Sequence, residues 1–301
     1  MSSFLRINDL QSATIKDILE TALDIKKAPE KYERALEKQH FAMLFEKPSL
    51  RTRASFSVGI EKMGGVAHFF NMQQEKIGTR ESVHDLANNL EQWYQGVIAR
   101  VDSHSTLADL NEHASIPVIN ALCDQHHPCQ ALADALTLFE INANFDEWCV
   151  AYLGDFNNVA RSLVDVAVQL GFHLTLVTPK NSMLDNFLNY MPFDSADNIQ
   201  WIEDPAELER CNVIYTDVWQ SMGAKKLANN LSSIYQPYQV NQSLMSQTKA
   251  EFFMHCQPVH RGEEVTAEVC DSDKSIMYQQ ARNRMTAQQA LLFLMFNGRL
   301  K

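Results

Sequence analysis

Short apolar runs alternate with stretches of helical periodicity along almost the whole chain. In the first half this pattern predicts strands at residues 41–45, 66–70, 96–100 and 117–120. In the second half it predicts strands at 149–154, 173–179, 212–217, 252–255 and 275–279, and then a long helix over about 280–297. Strands that alternate with helices are typical of a parallel sheet covered by helices on both faces. The pattern therefore predicts an α/β fold made of doubly wound parallel sheets.

The length of the chain favours two such domains. A domain commonly has about 100 to 200 residues, and this chain has 301. No linker rich in Pro, Gly or Ser separates the two halves. The best candidate for the boundary is the polar segment INANFDEW at residues 141–148, between a helical run and the next apolar run.

Charge and cysteine content argue against several functional classes. The chain has 26 basic and 37 acidic residues and a formal net charge of −11, which is unfavourable for a general nucleic-acid binder. The six cysteines form no CxxC pair and no tight zinc-ligand spacing, so we expect reduced thiols in the cytoplasm and no metal. The N-terminus is typical of an amphipathic helix, and neither a signal peptide nor a membrane span is indicated.

Basic residues at fixed points therefore indicate a local site for a small anion. In FEKPSLRTRASF, residues 45–56, an apolar strand ends and a helix begins, with Ser49 placed to cap it. A helix N-terminus offers free N–H groups and a partial positive charge, and Arg51 and Thr52 add donors in its first turn. The stretch predicts a phosphate cradle, and a capped helix with solvated arginines is the alternative.

Two further candidates lie near strand ends in the first half. Arg100 ends the run GVIAR, and Pro128 suits the first position of a helix that has His127 and Gln130 at its start. Taken singly, a surface salt bridge would explain Arg100, and a helix cap or core donor would explain His127. Because open parallel sheets bind ligands beyond the carboxyl ends of their strands, the candidates together favour one crevice.

The second half carries candidates for a different ligand. YLGDFNNVARSL, residues 152–163, runs strand, turn and helix but lacks G-x-G-x-x-G. Phe156 would also crowd a pyrophosphate, so a dinucleotide cofactor and an NAD-dependent dehydrogenase are disfavoured. Asn157 and Asn158 favour a small polar ligand instead. Asp217, just beyond a predicted strand, is placed to hold an ammonium group or to cap the following turn.

The last candidate is Cys256, which follows a buried-looking strand in FMHCQPVHRGEEV, residues 253–265. Cysteine is among the most buried residue types and is usually inert in that setting. As a functional group beside Asp217, however, the thiol would orient an amine or help to deprotonate it.

Five ordered motifs resemble the aspartate/ornithine carbamoyltransferase family: SLRTR, ARVDSH, HPCQALAD, GDFNNVARS with DVWQSMG, and HCQPVHRGEEV. The resemblance covers almost the full length and favours the ornithine enzymes, because the aspartate enzymes usually have proline instead of cysteine after the histidine that begins HCQP. It implies a carbamoyl phosphate domain at 1–142, an ornithine domain at 143–282, and a C-terminal helix at 283–301 packing back on the first. It also implies a homotrimer in which a neighbouring chain contributes the loop EKIGTRESVHDL.

The resemblance further implies roles for individual residues. Carbamoyl phosphate would be bound by Ser49, Leu50, Arg51, Thr52, Lys76, Arg100, His127, Gln130, Cys256, Gln257 and Arg284. Ornithine would be bound by Asn158, Asp217, Ser221 and Met222. The catalytic residues would be Arg100, His127, Asp217 and Cys256. No cofactor and no metal are implied, and the small-molecule substrates are the expected partners.

Four positions depart from the usual family pattern. Leu50 removes one hydroxyl from the cradle, Lys76 stands where glutamine is usual, Gln257 replaces a leucine, and Phe156 replaces a small residue. These departures leave three hypotheses open. The first is carbamoyl transfer to L-ornithine, and the second is transfer to another amine, such as an N-acylated ornithine or putrescine. The third is a homologue that binds ligands without turnover.

Overall fold

The computed structural model describes residues 3–190, 196–219 and 231–298. The strands are β1 His40–Phe45, β2 Val66–Asn71, β3 Gly96–Arg100, β4 Val118–Leu122, β5 Cys149–Leu153, β6 His173–Val177, β7 Ile199–Ile202, β8 Val213–Thr216 and β9 Phe252–His255. The helices are α1 Ser12–Lys27, α2 Leu50–Glu61, α3 Val83–Leu90, α4 His104–His113, α5 Pro128–Ile141, α6 Asn158–Leu170, α7 Ser182–Tyr190, α8 Leu231–Tyr235, α9 Gln242–Gln247, α10 Ala267–Cys270 and α11 Met277–Phe296. Within these described ranges, no helix is both long enough and apolar enough to span a membrane.

Two parallel sheets form the framework, which confirms the predicted α/β class. The first sheet has the order β2-β1-β3-β4 and the second has the order β7-β6-β5-β8-β9. In each sheet the strand order reverses once, between β1 and β3 and between β5 and β8. Ligands of open parallel sheets bind outside the carboxyl ends of the strands at such a switch point. The topology therefore indicates two edges, one in each sheet, at which to look for functional side chains.

The chain divides into two compact units. Unit 1 comprises Met1–Leu136 and Asn283–Lys301, and unit 2 comprises Thr137–Arg282. Both divisions fall inside helices, α5 and α11. The segment at 141–148 looks polar in sequence, yet it contains a short 3-10 turn whose Phe145 is buried, as is Trp148 directly after it.

The central strands of the first sheet are covered on both faces. All five residues of β3 are buried, and in β1 only the first residue is partly exposed. A strand in a parallel sheet with helices on both faces is apolar at consecutive positions. The short apolar runs of the sequence therefore predicted these strands. The edge strand β2, in contrast, is exposed at most of its positions.

One predicted strand is wrong and one strand was not predicted. Residues 275–279 do not form a strand: Ser275 makes a single parallel bridge to Phe253, and α11 already begins at Met277. The residues that follow Met277 have high helix propensity. This propensity outweighs the strand signal of the short apolar run, so the helix begins earlier than predicted. The strand at 199–202 is only four residues long. A run of that length is too short for its hydrophobic pattern to distinguish a strand from a loop.

The C-terminal helix α11 packs on unit 1, as predicted. The ring of Phe296 meets the ring of Phe41 on β1 edge to face, with 4.9 Å between centroids. Further along α11, Gln289 donates from Nε2 to the carbonyl oxygen of Gly59 at 3.1 Å. A Cβ atom at position 59 would lie 3.2 Å from Cγ of Gln289, so the glycine permits the close approach of the two helices.

Candidate functional site

Helix α2 begins after β1, and Ser49 caps it as predicted. The Oγ of Ser49 accepts a hydrogen bond from the Thr52 backbone N–H at 3.2 Å and donates to Thr52 Oγ1 at 2.9 Å. Thr52 is fully buried, whereas Arg51 is exposed and the Leu50 side chain is 81% exposed. The N-terminus of α2 therefore has one buried hydroxyl inside it and two exposed side chains around it.

Thr52 is also where two arginines from distant parts of the chain meet. Its Oγ1 accepts hydrogen bonds from Arg100 Nη1 at 3.3 Å and from Arg284 Nη2 at 2.6 Å. Arg284, on α11, also donates from Nη1 to Gln130 Oε1 at 2.9 Å and lies 3.2 Å from His127 Nε2. We call these five residues the cationic cluster, and all of them belong to unit 1. The structure thus brings together five of the residues singled out in the sequence.

The cationic cluster concentrates positive charge in a buried place. Burial and the nearby charge of Arg284 lower the pKa of Arg100 to about 10, so the guanidinium group of Arg100 stays charged at neutral pH. Within the described ranges, no carboxylate forms an ion pair with Arg100. Two like charges held together in a region of low dielectric favour an anion between or beside them.

His127 is buried in this cluster as a neutral imidazole. Burial, followed by the charges of Arg284 and Arg100, lowers the pKa of His127 well below its ordinary value. Because Nε2 faces a guanidinium N–H donor, the proton of the neutral ring is assigned to Nδ1. Nε2 of His127 therefore accepts from Arg284, and the neutral ring keeps an N–H donor at Nδ1.

Lys76 lies on an exposed segment that is tied to its own chain. The ammonium group pairs with Asp102, which also pairs with Lys47 at 3.3 Å, and the hydrogen bond with Asp102 raises the pKa of Lys76. Buried Glu46 fixes the same region, because its carboxylate accepts from the backbone N–H groups of Ile77 at 3.0 Å and Asp102 at 2.8 Å. The sequence analysis missed Glu46, and nothing in its immediate neighbours signals the role.

In unit 2, a second polar group surrounds Asp217 beyond the switch point of the second sheet. Its Oδ1 accepts from the backbone N–H of Val218 at 2.8 Å and from the Cys256 thiol at 3.0 Å. Its Oδ2 accepts from Asn157 Nδ2 at 2.9 Å. The carboxylate is buried, and the thiol that the sequence placed beside it is in direct contact.

Strand register explains this convergence. Thr216, the last residue of β8, pairs with both Leu153 and His255, so the residues that follow β5, β8 and β9 leave the sheet at one edge. Asn157 caps α6 through its Oδ1, which leaves its Nδ2 group for Asp217. Of the two asparagines that the sequence indicated, Asn157 is the one that contacts Asp217, and the ligand role of Asn158 stays a prediction. An asparagine at a helix N-cap was the available signal.

Two neighbouring residues have roles that the sequence did not reveal. Asp155 accepts from the Tyr235 hydroxyl at 2.6 Å and from Asn181 Nδ2 at 2.8 Å, and burial raises its pKa. Phe156 was expected to crowd a pyrophosphate, but its side chain is buried and packs near Phe187, with ring centroids 5.2 Å apart. Phe156 is therefore a core residue.

The turn that carries Cys256 is held from beneath by a buried pair. Gln257 has a left-handed φ of 58° and donates its backbone N–H to His255 Nδ1 at 2.8 Å. Nε2 of His255 therefore carries the proton and donates to Glu264 Oε1 at 3.0 Å. Potential metal-ligand atoms of Asp217, His255 and Cys256 lie within 4.8 Å of one another, but both nitrogens of His255 are already engaged.

Two of the predicted ornithine-binding residues, Ser221 and Met222, lie outside the described residues.

Two family models match consecutive parts of the chain. Residues 2–140 match the family model described as "Aspartate/ornithine carbamoyltransferase, carbamoyl-P binding domain". Residues 146–295 match the model described as "Aspartate/ornithine carbamoyltransferase, Asp/Orn binding domain". The chain belongs to the aspartate/ornithine carbamoyltransferase family. Four residues of the cationic cluster lie in the part matched by the first model, whereas Arg284 and the group around Asp217 lie in the part matched by the second.

Members of this carbamoyltransferase family resemble the chain over its full length. The ornithine carbamoyltransferase of Shewanella oneidensis is 43% identical over 99% of this chain and 100% of that protein. The structure of the ornithine carbamoyltransferase of Pyrococcus furiosus is similar with a TM-score of 0.91 and 38% identity, over 99% of this chain and 97% of that one. The anabolic enzyme of Campylobacter jejuni has a TM-score of 0.89 and 30% identity, over 99% and 100%.

Proposed function

We propose that this chain transfers the carbamoyl group of carbamoyl phosphate to the side-chain amine of L-ornithine, giving citrulline and phosphate. The observation that carries the proposal is the 3.0 Å contact between the Cys256 thiol and the Asp217 carboxylate. A carboxylate with a thiol beside it suits an amine acceptor, and the cysteine after His255 favours ornithine over aspartate. The names of the relatives, which are ornithine carbamoyltransferases, support the same acceptor.

Carbamoyl phosphate is bound, on this proposal, by residues of unit 1. The N-terminus of α2 offers its backbone N–H groups, including that of Leu50, and the partial positive charge of the helix to the phosphate. Ser49 and Thr52 add hydroxyl groups, and Arg51 adds an exposed guanidinium group. Lys76 of a neighbouring chain completes the set of phosphate ligands, because its ammonium group is half exposed.

The cationic cluster stabilises the charge that develops during the reaction. When the amine lone pair forms the new C–N bond, negative charge builds on the carbonyl oxygen, and donors from Thr52, Arg100 and His127 stabilise it. The C–O bond to phosphate then breaks, and the phosphate leaves with the electron pair. Arg284, held by Gln130, adds a second positive charge beside that departing group.

Ornithine is bound by residues of unit 2. Asp217 and Asn158 hold its polar groups, and Ser221 and Met222 complete the acceptor site. An alkyl ammonium has a pKa of about 10.4, so most of the free amine is protonated at neutral pH. Asp217 and Cys256 select or generate the neutral amine, because a buried carboxylate is a suitable proton acceptor.

The assembly and location follow from the same family. We propose a cytoplasmic homotrimer that takes part in arginine metabolism, with residues 1–142 and 283–301 as the carbamoyl phosphate domain and 143–282 as the ornithine domain. In the trimer, the segment EKIGTRESVHDL supplies Lys76 to a neighbouring chain. A solution mass of three chains by light scattering tests this assembly.

One residue supports a second possible class of acceptor substrate. Gln257 replaces the usual leucine next to Cys256, and it is half-buried on the same turn. A side-chain amide there offers a partner for a carbonyl group that ornithine lacks. This favours N-acetylornithine or N-succinylornithine as the alternative acceptor.

The deciding experiment measures carbamoyl transfer to L-ornithine, N-acetylornithine, N-succinylornithine, putrescine and L-aspartate side by side. We expect dominant turnover with L-ornithine. Asp217→Asn should lower kcat/KM for ornithine by about 100-fold or more, as expected for loss of a proton acceptor, while the KM for carbamoyl phosphate stays within about twofold.

The other outcomes are also informative. Activity confined to an acylated acceptor would replace ornithine in the proposal and assign the change to Gln257. Binding of carbamoyl phosphate by calorimetry without turnover on any of the five acceptors would show a ligand-binding homologue instead of an enzyme.

A further inference from the structure

Three side chains of the turn after Pro258 converge on the side of Glu264 that His255 does not contact. His260 Nδ1 lies 3.6 Å from Glu263 Oε2 and 4.0 Å from Glu264 Oε2. Potential ligand atoms of these three residues all lie within 4.8 Å of one another. His260 and Glu263 are more than half exposed, and Glu264 is fully buried. One buried and two exposed ligands therefore face one another at the protein surface.

The buried carboxylate has one oxygen engaged and one oxygen unengaged. Oε1 of Glu264 accepts from His255 Nε2 at 3.0 Å and from the His260 backbone N–H at 2.6 Å. Oε2 is buried and has no hydrogen-bond partner within the described residues. A buried carboxylate oxygen without a donor is costly, and this one lies 4.0 Å from Nδ1 of His260.

The backbone around these ligands is fixed by contacts that do not involve their side chains. Gly262 adopts a φ of +90°, which glycine permits, and makes the tight turn that brings position 263 back towards 260. Gln239 donates from Nε2 to the carbonyl oxygens of Gly262 and Glu263 at 3.0 and 2.7 Å. Arg261, the neighbouring cation, is drawn to Asp271 at 2.7 Å, so it does not neutralise the two glutamates.

We propose that His260, Glu263 and Glu264 bind a divalent transition-metal ion, with Zn²⁺ as the reference ion. Bonds of about 2.0 to 2.2 Å in a tetrahedral site place ligand atoms about 3.4 Å apart. The observed separations of 3.6 and 4.0 Å need only small shifts of exposed side chains. An imidazole nitrogen with two carboxylate oxygens suits Zn²⁺ or Co²⁺, whereas Ca²⁺ and Mg²⁺ take oxygen ligands. Solvent completes the coordination.

This site is chemically distinct from the group of Asp217, His255 and Cys256. It contains no thiol, and it uses Oε2 of Glu264, whereas His255 uses Oε1. The presence or absence of a sulfur ligand therefore distinguishes metal binding at the two places.

The test is equilibrium dialysis of the full chain, stripped with a chelator, against Zn²⁺. We expect one ion per chain, and at least tenfold weaker binding in His260→Ala and in Glu263→Gln. His173→Ala removes an exposed histidine elsewhere in unit 2 and is the matched control, with unchanged binding. Because His260 and Glu263 are largely exposed, the metal-free melting temperature of both variants should stay within about 2 °C of the parent value.

Absorption spectroscopy with Co²⁺ identifies the ligands. We expect a spectrum without a thiolate-to-metal charge-transfer band, and the same spectrum in Cys256→Ser. A thiolate band, or binding that is lost in Cys256→Ser and kept in His260→Ala, would move the ion to the cysteine and overturn the proposal. Failure of the parent chain to bind either ion would overturn it as well.

Discussion

At the scale of single residues, the buried polar groups of unit 1 depend on one another. The hydroxyl of Thr52 accepts from Arg100 and Arg284, and Arg284 is also fixed by Gln130. Removing one partner leaves a buried donor without an acceptor, which costs about 1 to 3 kcal/mol. These contacts determine how the four side chains are oriented.

The pKa of His127 predicts a pH dependence of stability. Its pKa is lowered in the folded chain, whereas an unfolded histidine titrates near 6.5. Below about pH 6.5 the unfolded chain binds a proton that the folded chain does not. The free energy of unfolding should therefore fall on acidification, by up to about 1.4 kcal/mol per pH unit from this residue.

Comparison with His127→Gln isolates this contribution. Urea unfolding is measured from about pH 7.5 to about pH 5.5 in buffer without phosphate. The free energy of unfolding should change less steeply with pH in the variant than in the parent chain. The starting stability of the variant does not matter, because only the slopes are compared. Parallel slopes would show that His127 takes up its proton equally in both states, and thus contradict the assignment.

At the scale of elements, the helix start at Ser49 combines a stability role with a proposed ligand role. Ser49→Ala removes the cap of α2 and should lower the free energy of unfolding by about 1 kcal/mol. If the phosphate binds there, the lost hydroxyl should also raise the KM for carbamoyl phosphate by about three- to tenfold. Denaturant unfolding and initial-rate kinetics measure the two effects.

Asn241→Ala provides the control, because Asn241 caps α9 through the backbone N–H of Leu244 at 3.0 Å. It should cost a similar free energy of unfolding and leave the KM for carbamoyl phosphate unchanged. Equal changes of KM in the two variants would mean that general destabilisation, and not a lost ligand contact, explains the effect of Ser49→Ala.

At the scale of the whole molecule, the C-terminal helix returns to the strands formed at the start of the chain. It brings Arg284 to Thr52, 232 positions earlier in the sequence, and it packs Phe296 against Phe41. Unit 1 is therefore complete only when the last residues have folded onto it.

Phe296→Ala tests this dependence. Truncating this buried ring should lower the stability of unit 1 by about 3 kcal/mol, and the displaced helix should raise the KM for carbamoyl phosphate through Arg284. Tyr278→Ala, on the same helix but 67% exposed, should cost no more than about 0.5 kcal/mol. Calorimetry should show a loss of stability in Phe296→Ala and not in Tyr278→Ala. Similar losses in both variants would contradict the proposed role of the Phe296 packing.

The strands at 41–45, 96–100 and 252–255 and the start of α2 at Ser49 could be predicted because their signals are local. A buried parallel strand is apolar at consecutive positions, and a helix cap is set by residues within three or four positions. The strand at 199–202 was missed because a short element takes its structure from its neighbours in space. The start of α11 was missed because the short apolar run there resembles a strand. Glu46 and Asp155 were missed because their partners are distant in sequence.

The sequence alone therefore determined the alternation of strands and helices, the helix caps, and which residue types stand beyond the strand ends. The tertiary structure alone decided which of those residues meet. It placed Arg284 on Thr52 and Asn157 on Asp217, and burial then set the charge state of His127. The physical reason is range: backbone preferences act within one helical turn, whereas burial and electrostatic interactions act between elements that only folding brings together.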